Sequence, residues 1–203
     1  MVPSFLSIVI FSTPKQLISI MKYHRLIFAL SAAIGLASCD SVVTSNHISK
    51  QTESLIQQEL TGTWQVEDEI WQIEFDETDL GHLASLNWKK NQFEISRAQF
   101  QGLKVDKTTI ITLESPEETE DEFPLVAFRL ADEETGNIFL PKVKAVAKLV
   151  ESGKFEGEVE REESSITVKI PDAVDMVTGT PLAELFDFEK PKTLKRVGPL
   201  EVD

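Results

Sequence analysis

The sequence predicts a mainly β (α+β) fold: an antiparallel sheet or open barrel with one amphipathic helix packed on it. Two observations carry this. Trp71, Ile73 and Phe75 alternate with Gln72 and Glu74, the period of a strand with one wet face. Similar short apolar runs recur between turn residues almost to the end of the chain, and a single stretch, 141–152, clearly carries a helical stripe.

Taken in order, Ile48, Leu55, Ile56 and Leu60 are spaced for one helical face, which predicts a short helix over about 49–59. From Leu60 the period changes to two. Leu86 and Trp88 then face Phe93 and Ile95 across Lys89, Lys90, Asn91 and Gln92, a hairpin connection. Further strands are expected at Leu103–Leu113, Leu125–Leu130, Asn137–Leu140, Phe155–Arg161 and Ser165–Ile170. Between them, 117–122 holds five acids in six positions beside Pro116 and Pro124 and reads as a solvated loop. In the helical stretch Pro141 suits a first turn, Val143, Val146, Ala147, Leu149 and Val150 form the apolar stripe, and Gly153 supplies the stop. Asp172–Val177 and Leu182–Phe186 read as shorter helices, each introduced by a proline, before a last strand at Thr193–Val197. No solenoid-type repeat is present.

The chain has 203 residues and a formal charge of −14, from 34 acidic and 20 basic side chains. So negative a chain lacks the lysines and arginines whose counterion release drives non-specific nucleic-acid binding, and its overall field repels anionic headgroups. One cysteine excludes an internal disulfide framework, a CxxC redox pair and a cysteine-based zinc cluster. The charge is also divided unevenly. Residues 1–38 contain Lys15, Lys22 and Arg25 and no acid, so from residue 39 onward 17 bases face 34 acids, a balance of −17.

Residues from Met21 have the three parts of a secretory signal. Lys22 and Arg25 form the basic head, and Leu26–Ala37 is an apolar run of 12 residues, well short of the roughly 20 that span a bilayer as a helix. Leu36, Ala37 and Ser38 before Cys39 resemble the lipobox of bacterial lipoprotein precursors. That resemblance implies cleavage before Cys39, a diacylglycerol on its thiol and further acylation, palmitate-type, of the new amino terminus. Cysteine suits this role because its thiolate is readily alkylated, and two or more acyl chains anchor durably where one does not. Residues 1–20 fit less well: Ser4–Phe11 is a second apolar stretch, interrupted by Pro14 and Lys15. Either Met21 is the true start, the favoured reading, or the n-region is unusually long.

The expected organisation is therefore a leader at 1–38, a lipidated tether at 39–50 and a single mostly-β domain at 51–203. Asp40–Lys50 is polar and reads as a flexible tether. In enteric bacteria the lipoprotein family uses Asp after the modified cysteine as a sorting signal for the inner membrane, a rule from which other bacteria depart. The implied localisation is a bacterial cell membrane with the domain facing the periplasm, the inner membrane being favoured by Asp40 and the outer membrane being the alternative.

Leu60, Gly62 and Trp64 give L-T-G-T-W at the start of the first strand of that domain. This resembles the lipocalin and wider calycin families, whose first strand opens with Gly-x-Trp and whose last strand offers an Arg over that Trp; Arg196 is the matching residue here. The resemblance implies a structural role for Gly62, Trp64 and Arg196, with a tight turn into the barrel floor and a cation on the indole face. It names no ligand.

His47 and His82 are not spaced as a metal pair and read as exposed polar residues. Asp76, Glu77 and Asp79, and likewise Asp132, Glu133 and Glu134, could ligate calcium, but neither set follows the EF-hand pattern and both read as solvated turns. There is no Gly-x-Ser-x-Gly elbow, Walker loop, Gly-x-Gly-x-x-Gly or His-Glu-x-x-His. No catalytic residue, metal or cofactor is expected. The leading expectation is a non-enzymatic envelope lipoprotein, membrane-bound through Cys39 and binding a small hydrophobic ligand or an envelope protein. The alternative is an envelope hydrolase using a pair of acidic residues. A deep apolar cavity would favour a ligand carrier, and a solid core a role in surface interaction.

Overall fold

The computed structural model describes residues 40–48, 52–89, 91–114 and 122–198. Eight antiparallel strands close into a barrel, so the fold is mainly β as expected, with the sheet fully joined. In chain order these are β2 (Gly62–Val66), β3 (Glu69–Phe75), β4 (Gly81–Lys89), β5 (Gln92–Val105), β6 (Thr108–Glu114), β7 (Phe123–Leu130), β8 (Thr135–Phe139) and β11 (Lys192–Arg196). Around the barrel the order is β6-β5-β4-β3-β2-β11-β8-β7, and β6 pairs with β7 to complete the ring. Closure removes the free sheet edges that would otherwise invite aggregation.

Alternation divides the side chains into two cores. Trp64, Trp71, Ile73, Leu83, Phe100, Ile111, Val126, Phe128, Ile138 and Leu194 point inward and fill the barrel, with Ile56 and Leu60 of helix α1 (Ser54–Leu60). The next residues along the same strands, Ile110, Leu125, Ala127 and Phe139, point outward into a second core. That core is covered by a small outer sheet and by helix α2 (Val143–Glu151), whose Val143, Val146, Ala147 and Val150 form the predicted stripe. The outer sheet comprises β1 (Ser41–Thr44), β10 (Ile166–Ile170) and β9 (Glu158–Arg161). Two short helices, α3 (Val174–Gly179) and α4 (Leu182–Leu185), close the layer with Met176, Val177 and Leu185.

Three local expectations are corrected. Residues 41–44, expected as flexible tether, are strand β1: it pairs in parallel with β10 and antiparallel with the start of β7. Val42 and Val43 are buried, and this short apolar pair is what the polar setting of Ser, Thr and Asn concealed. The expected strand 103–113 is two strands joined by a tight turn, in which Asp106 adopts a left-handed backbone (φ 55°) that aspartate tolerates. The first helix begins later than expected, at Ser54.

Two strand glycines serve the packing. Phe100 lies across from Gly81, and a Cβ at Gly81 would come within 2.3 Å of its ring; Phe128 covers Gly136 in the same way, at 2.6 Å. The missing side chains make room for aromatic rings that fill the barrel.

Candidate functional site

The residues of the Gly-x-Trp motif pack together where β2 meets β11. Trp64 is fully buried at the start of β2 and donates its indole N–H to the Leu60 carbonyl (2.8 Å). Its pairing partner is Arg196 of β11, whose guanidinium carbon lies 4.3 Å from the ring centroid. The same guanidinium donates to the Thr61 carbonyl (2.7 Å) and the Glu59 carbonyl (3.0 Å), and so closes the C-terminal end of α1, where a cation is favoured. Gly62 has φ 132°, and its absent Cβ would meet Arg196 Nη1 at 3.1 Å. The structure thus brings Gly62, Trp64 and Arg196 into one cluster.

The interior is correspondingly full. Among the described residues, an apolar pocket inside the barrel measures about 40 Å³ and is lined by side chains that include Trp71, Phe100, Ile111 and Phe128. Ligand pockets for small organic molecules typically occupy roughly 300–1,000 Å³, so this space holds no more than a few water-sized groups. Among the described residues one carboxylate is buried, that of Glu69 at the start of β3. Its two oxygens accept from Trp71 Nε1 (3.1 Å) and Asn87 Nδ2 (2.6 Å), which ties β3 to β4. Sequence reasoning passed over Glu69; its only signal is that it takes a core-facing position in the β3 alternation.

The outer face of β3, β4 and β5 is different in kind. Ile70, Leu86, Trp88, Phe93 and Ile95 are exposed there, and Trp88 packs edge-on against Phe93 with centroids 4.7 Å apart. Register places them side by side: Ile70 opposite Leu86, Leu86 opposite Ile95, Trp88 opposite Phe93. Among the described residues only one other large hydrophobic, Leu55, is exposed. Further along the same face an open depression of about 440 Å³ is lined by Gln72, Glu74, His82, Ala84, Arg97 and Gln99. The hairpin was foreseen, but its apolar side was not read as the outer one. Beyond Leu83 and Ala98 the inward series turns polar, through Ser85, Asn87, Glu94 and Ser96, while the outward series turns apolar.

The remaining candidates are scaffolding. His47, expected as an exposed polar residue, stacks on Phe123 at 4.2 Å; its ring nitrogens lie 3.2 Å from Thr112 Oγ1 and 3.1 Å from Glu114 Oε2. His82 Nε2 lies 2.9 Å from Asp76 Oδ2, and Asp76 also accepts from Thr78 N, Thr78 Oγ1 and Leu80 N. These bonds, His82 first and then Thr78, hold the Asp76 carboxyl well below the ordinary carboxylate range. Asp132 is likewise lowered, chiefly by the Glu134 backbone N–H. Lys169 is raised above the ordinary lysine value by Glu122 and Glu160, 2.8 and 2.9 Å away. No cluster of three metal-ligating side chains occurs among the described residues, and no described helix is long and apolar enough to cross a membrane.

Leu36, Ala37, Ser38 and Cys39 lie outside the described residues. Asp40 is the first that is described, and its Oδ1 accepts from the Ile166 backbone N–H (2.8 Å), a structural bond next to the start of β1. Comparison with known proteins finds no match to this chain among protein-family models, curated proteins or solved structures.

Proposed function

We propose that this chain is a bacterial envelope lipoprotein, held on a membrane by acylated Cys39, whose barrel is a non-enzymatic module acting through its outer surface on another envelope component. The basic head, the 12-residue apolar run and the lipobox Leu36-Ala37-Ser38-Cys39 support the anchor. The observation that carries the surface reading is the filled barrel: a cavity of about 40 Å³ leaves no room for a hydrophobic ligand in the place where a carrier would hold one. A hydrolase gains nothing from the buried carboxylate, because both Glu69 oxygens are occupied by neighbours in the wall.

Metabolic labelling of cells with a fatty acid tests the anchor. Label and membrane association are expected with Cys39 and are lost in Cys39→Ala; label that persists in the variant overturns it. Native mass spectrometry tests the surface reading. Recovery of a chain carrying no small molecule is expected, and repeated recovery of one bound lipid-sized molecule overturns it.

A further inference from the structure

We propose that the outer face of β3, β4 and β5 is the contact between two copies of this chain, packed face to face about a two-fold axis that runs along the row Ile70, Leu86, Ile95. The contact needs neither Cys39 nor a membrane and so goes beyond the reading above; it covers the apolar part of the outer surface and leaves the rest for another envelope component.

The first support is the pattern of the face. Ile70, Leu86 and Ile95 form one cross-strand row. On β4, Trp88 stands two residues after Leu86 and Ala84 two residues before it, on the same face and each about 7 Å away along the strand. On β5, Phe93 and Arg97 flank Ile95 in the same way. Rotation about the row therefore sets Trp88 of one copy on Ala84 of the other and Phe93 on Arg97, while the row meets itself. Large meets small, and an aromatic ring meets a cation. Trp88 and Phe93, packed edge-on at 4.7 Å, form a ready-made knob, and the open depression of about 440 Å³ that Ala84 and Arg97 help to line is the hollow beside it. None of the ion pairs among the described residues involves Arg97.

The second support is area. Trp88, Phe93 and Ile95 are 56, 65 and 64 % exposed, and Ile70 and Leu86 38 and 36 %. Together these side chains present roughly 600 Å² of surface, the upper end of what a single chain leaves bare. Two copies face to face remove roughly 1,200 Å², the size at which specific interfaces begin. A two-fold contact of this kind closes at two copies and leaves no open end for polymerisation.

The third is charge. Two copies of a chain of charge −14 repel each other over most of their surface. At this face they do not: the outward-pointing residues within 70–74, 82–88 and 93–99 include one acid, Glu74, and one base, Arg97.

The test uses the full chain carrying Cys39→Ala, cross-linked by a short bismaleimide in the cells that make it. An added cysteine is then the only thiol. Leu86→Cys and Ile95→Cys lie on the axis and should each give a product of twice the chain mass; Leu55→Cys, exposed on α1 and away from the face, should not. In the Leu86→Cys chain, Trp88→Ala, which removes the knob, and Ala84→Trp, which fills the hollow, should each lower the yield roughly ten-fold. Combining the two in one chain sets large against small again across the axis and should recover the yield. A misfolded chain would not recover, so rescue separates docking from loss of structure. Product from Leu86→Cys and Ile95→Cys no greater than from Leu55→Cys overturns the proposal, as does a product whose mass is not twice that of the chain. A yield that both single changes leave untouched, or a loss that the combination does not rescue, overturns the two-fold pairing. Cys39 is absent throughout, so the outcome is independent of the acyl-label experiment.

Discussion

The guanidinium of Arg196 bridges two carbonyls, those of Glu59 and Thr61, while its flat side rests on Trp64. One side chain from the last strand thereby joins the first barrel strand to the helix that precedes it. Charge-assisted hydrogen bonds contribute roughly 1.5–3 kcal/mol and a cation on an indole face about 1 kcal/mol. Arg196→Ala is expected to lower unfolding free energy by about 2–4 kcal/mol in urea titrations, with Arg196→Lys recovering little because an ammonium lacks the planar fork. A change within experimental error for Arg196→Ala would show that the cluster closes the barrel without stabilising it.

Glu69 presents the converse case, a buried acceptor whose donors come from its own wall. Glu69→Leu strands the Trp71 N–H and the Asn87 amide, at a cost of roughly 2–4 kcal/mol, whereas Glu69→Gln keeps an acceptor and should cost less. Thermal denaturation of the two variants separates these outcomes. Equal losses would mean that keeping an acceptor at this position does not govern the site.

Val42 is expected to matter although it lies only three residues beyond Cys39. It is buried against the outer core, so Val42→Ala should destabilise by about 2 kcal/mol and Val42→Asp by more. In a flexible tether either change would be silent. Amide exchange in β10 provides the local readout, since its pairing to β1 would loosen first.

Asp76 imposes an acid limit on the β3–β4 turn. Its carboxyl is held below the ordinary range in the folded state, so its contribution is fully present above that range and is lost as the pH falls below about 4 toward the folded value. Exchange of the Thr78 and Leu80 amides is expected to accelerate in strong acid, and Asp76→Asn should abolish that pH dependence. A carboxyl titrating near 4 by NMR would contradict the assignment.

Much of the barrel was legible because alternation is written directly in the sequence: Trp71, Ile73 and Phe75 face inward as their spacing requires. Gly62, Trp64 and Arg196 could be grouped from the sequence only through their resemblance to the Gly-x-Trp motif and late arginine of the lipocalin and calycin families; spacing alone does not join them. What period two does not state is which face lies inside. In β3 the apolar series is internal, while from Leu86 and Ile95 toward the tip it is external; only the closure of the sheet decides. Val42 and Val43 were illegible for another reason. A strand of four residues flanked by Ser and Thr is shorter than any window in which a period can be recognised, and it is defined by partners far along the chain. His47 was similarly hidden, since Phe123 and Glu114 reach it only after β6 and β7 have formed.

Strand β1 has a consequence for the order of folding. Ser41 pairs with Thr167, and the barrel seam joins Trp64 to Arg196, so both closures await nearly the whole chain. Contacts so distant in sequence form slowly, because a long loop must close before either is rewarded. The part of the described chain that is synthesised first is thus among the last to find its place, and Val42 and Val43 remain uncovered meanwhile. A chain stopped short of β10 would carry an orphaned apolar strand ahead of its barrel. Chaperone dependence of such truncated chains should therefore fall abruptly once residue 170 has emerged.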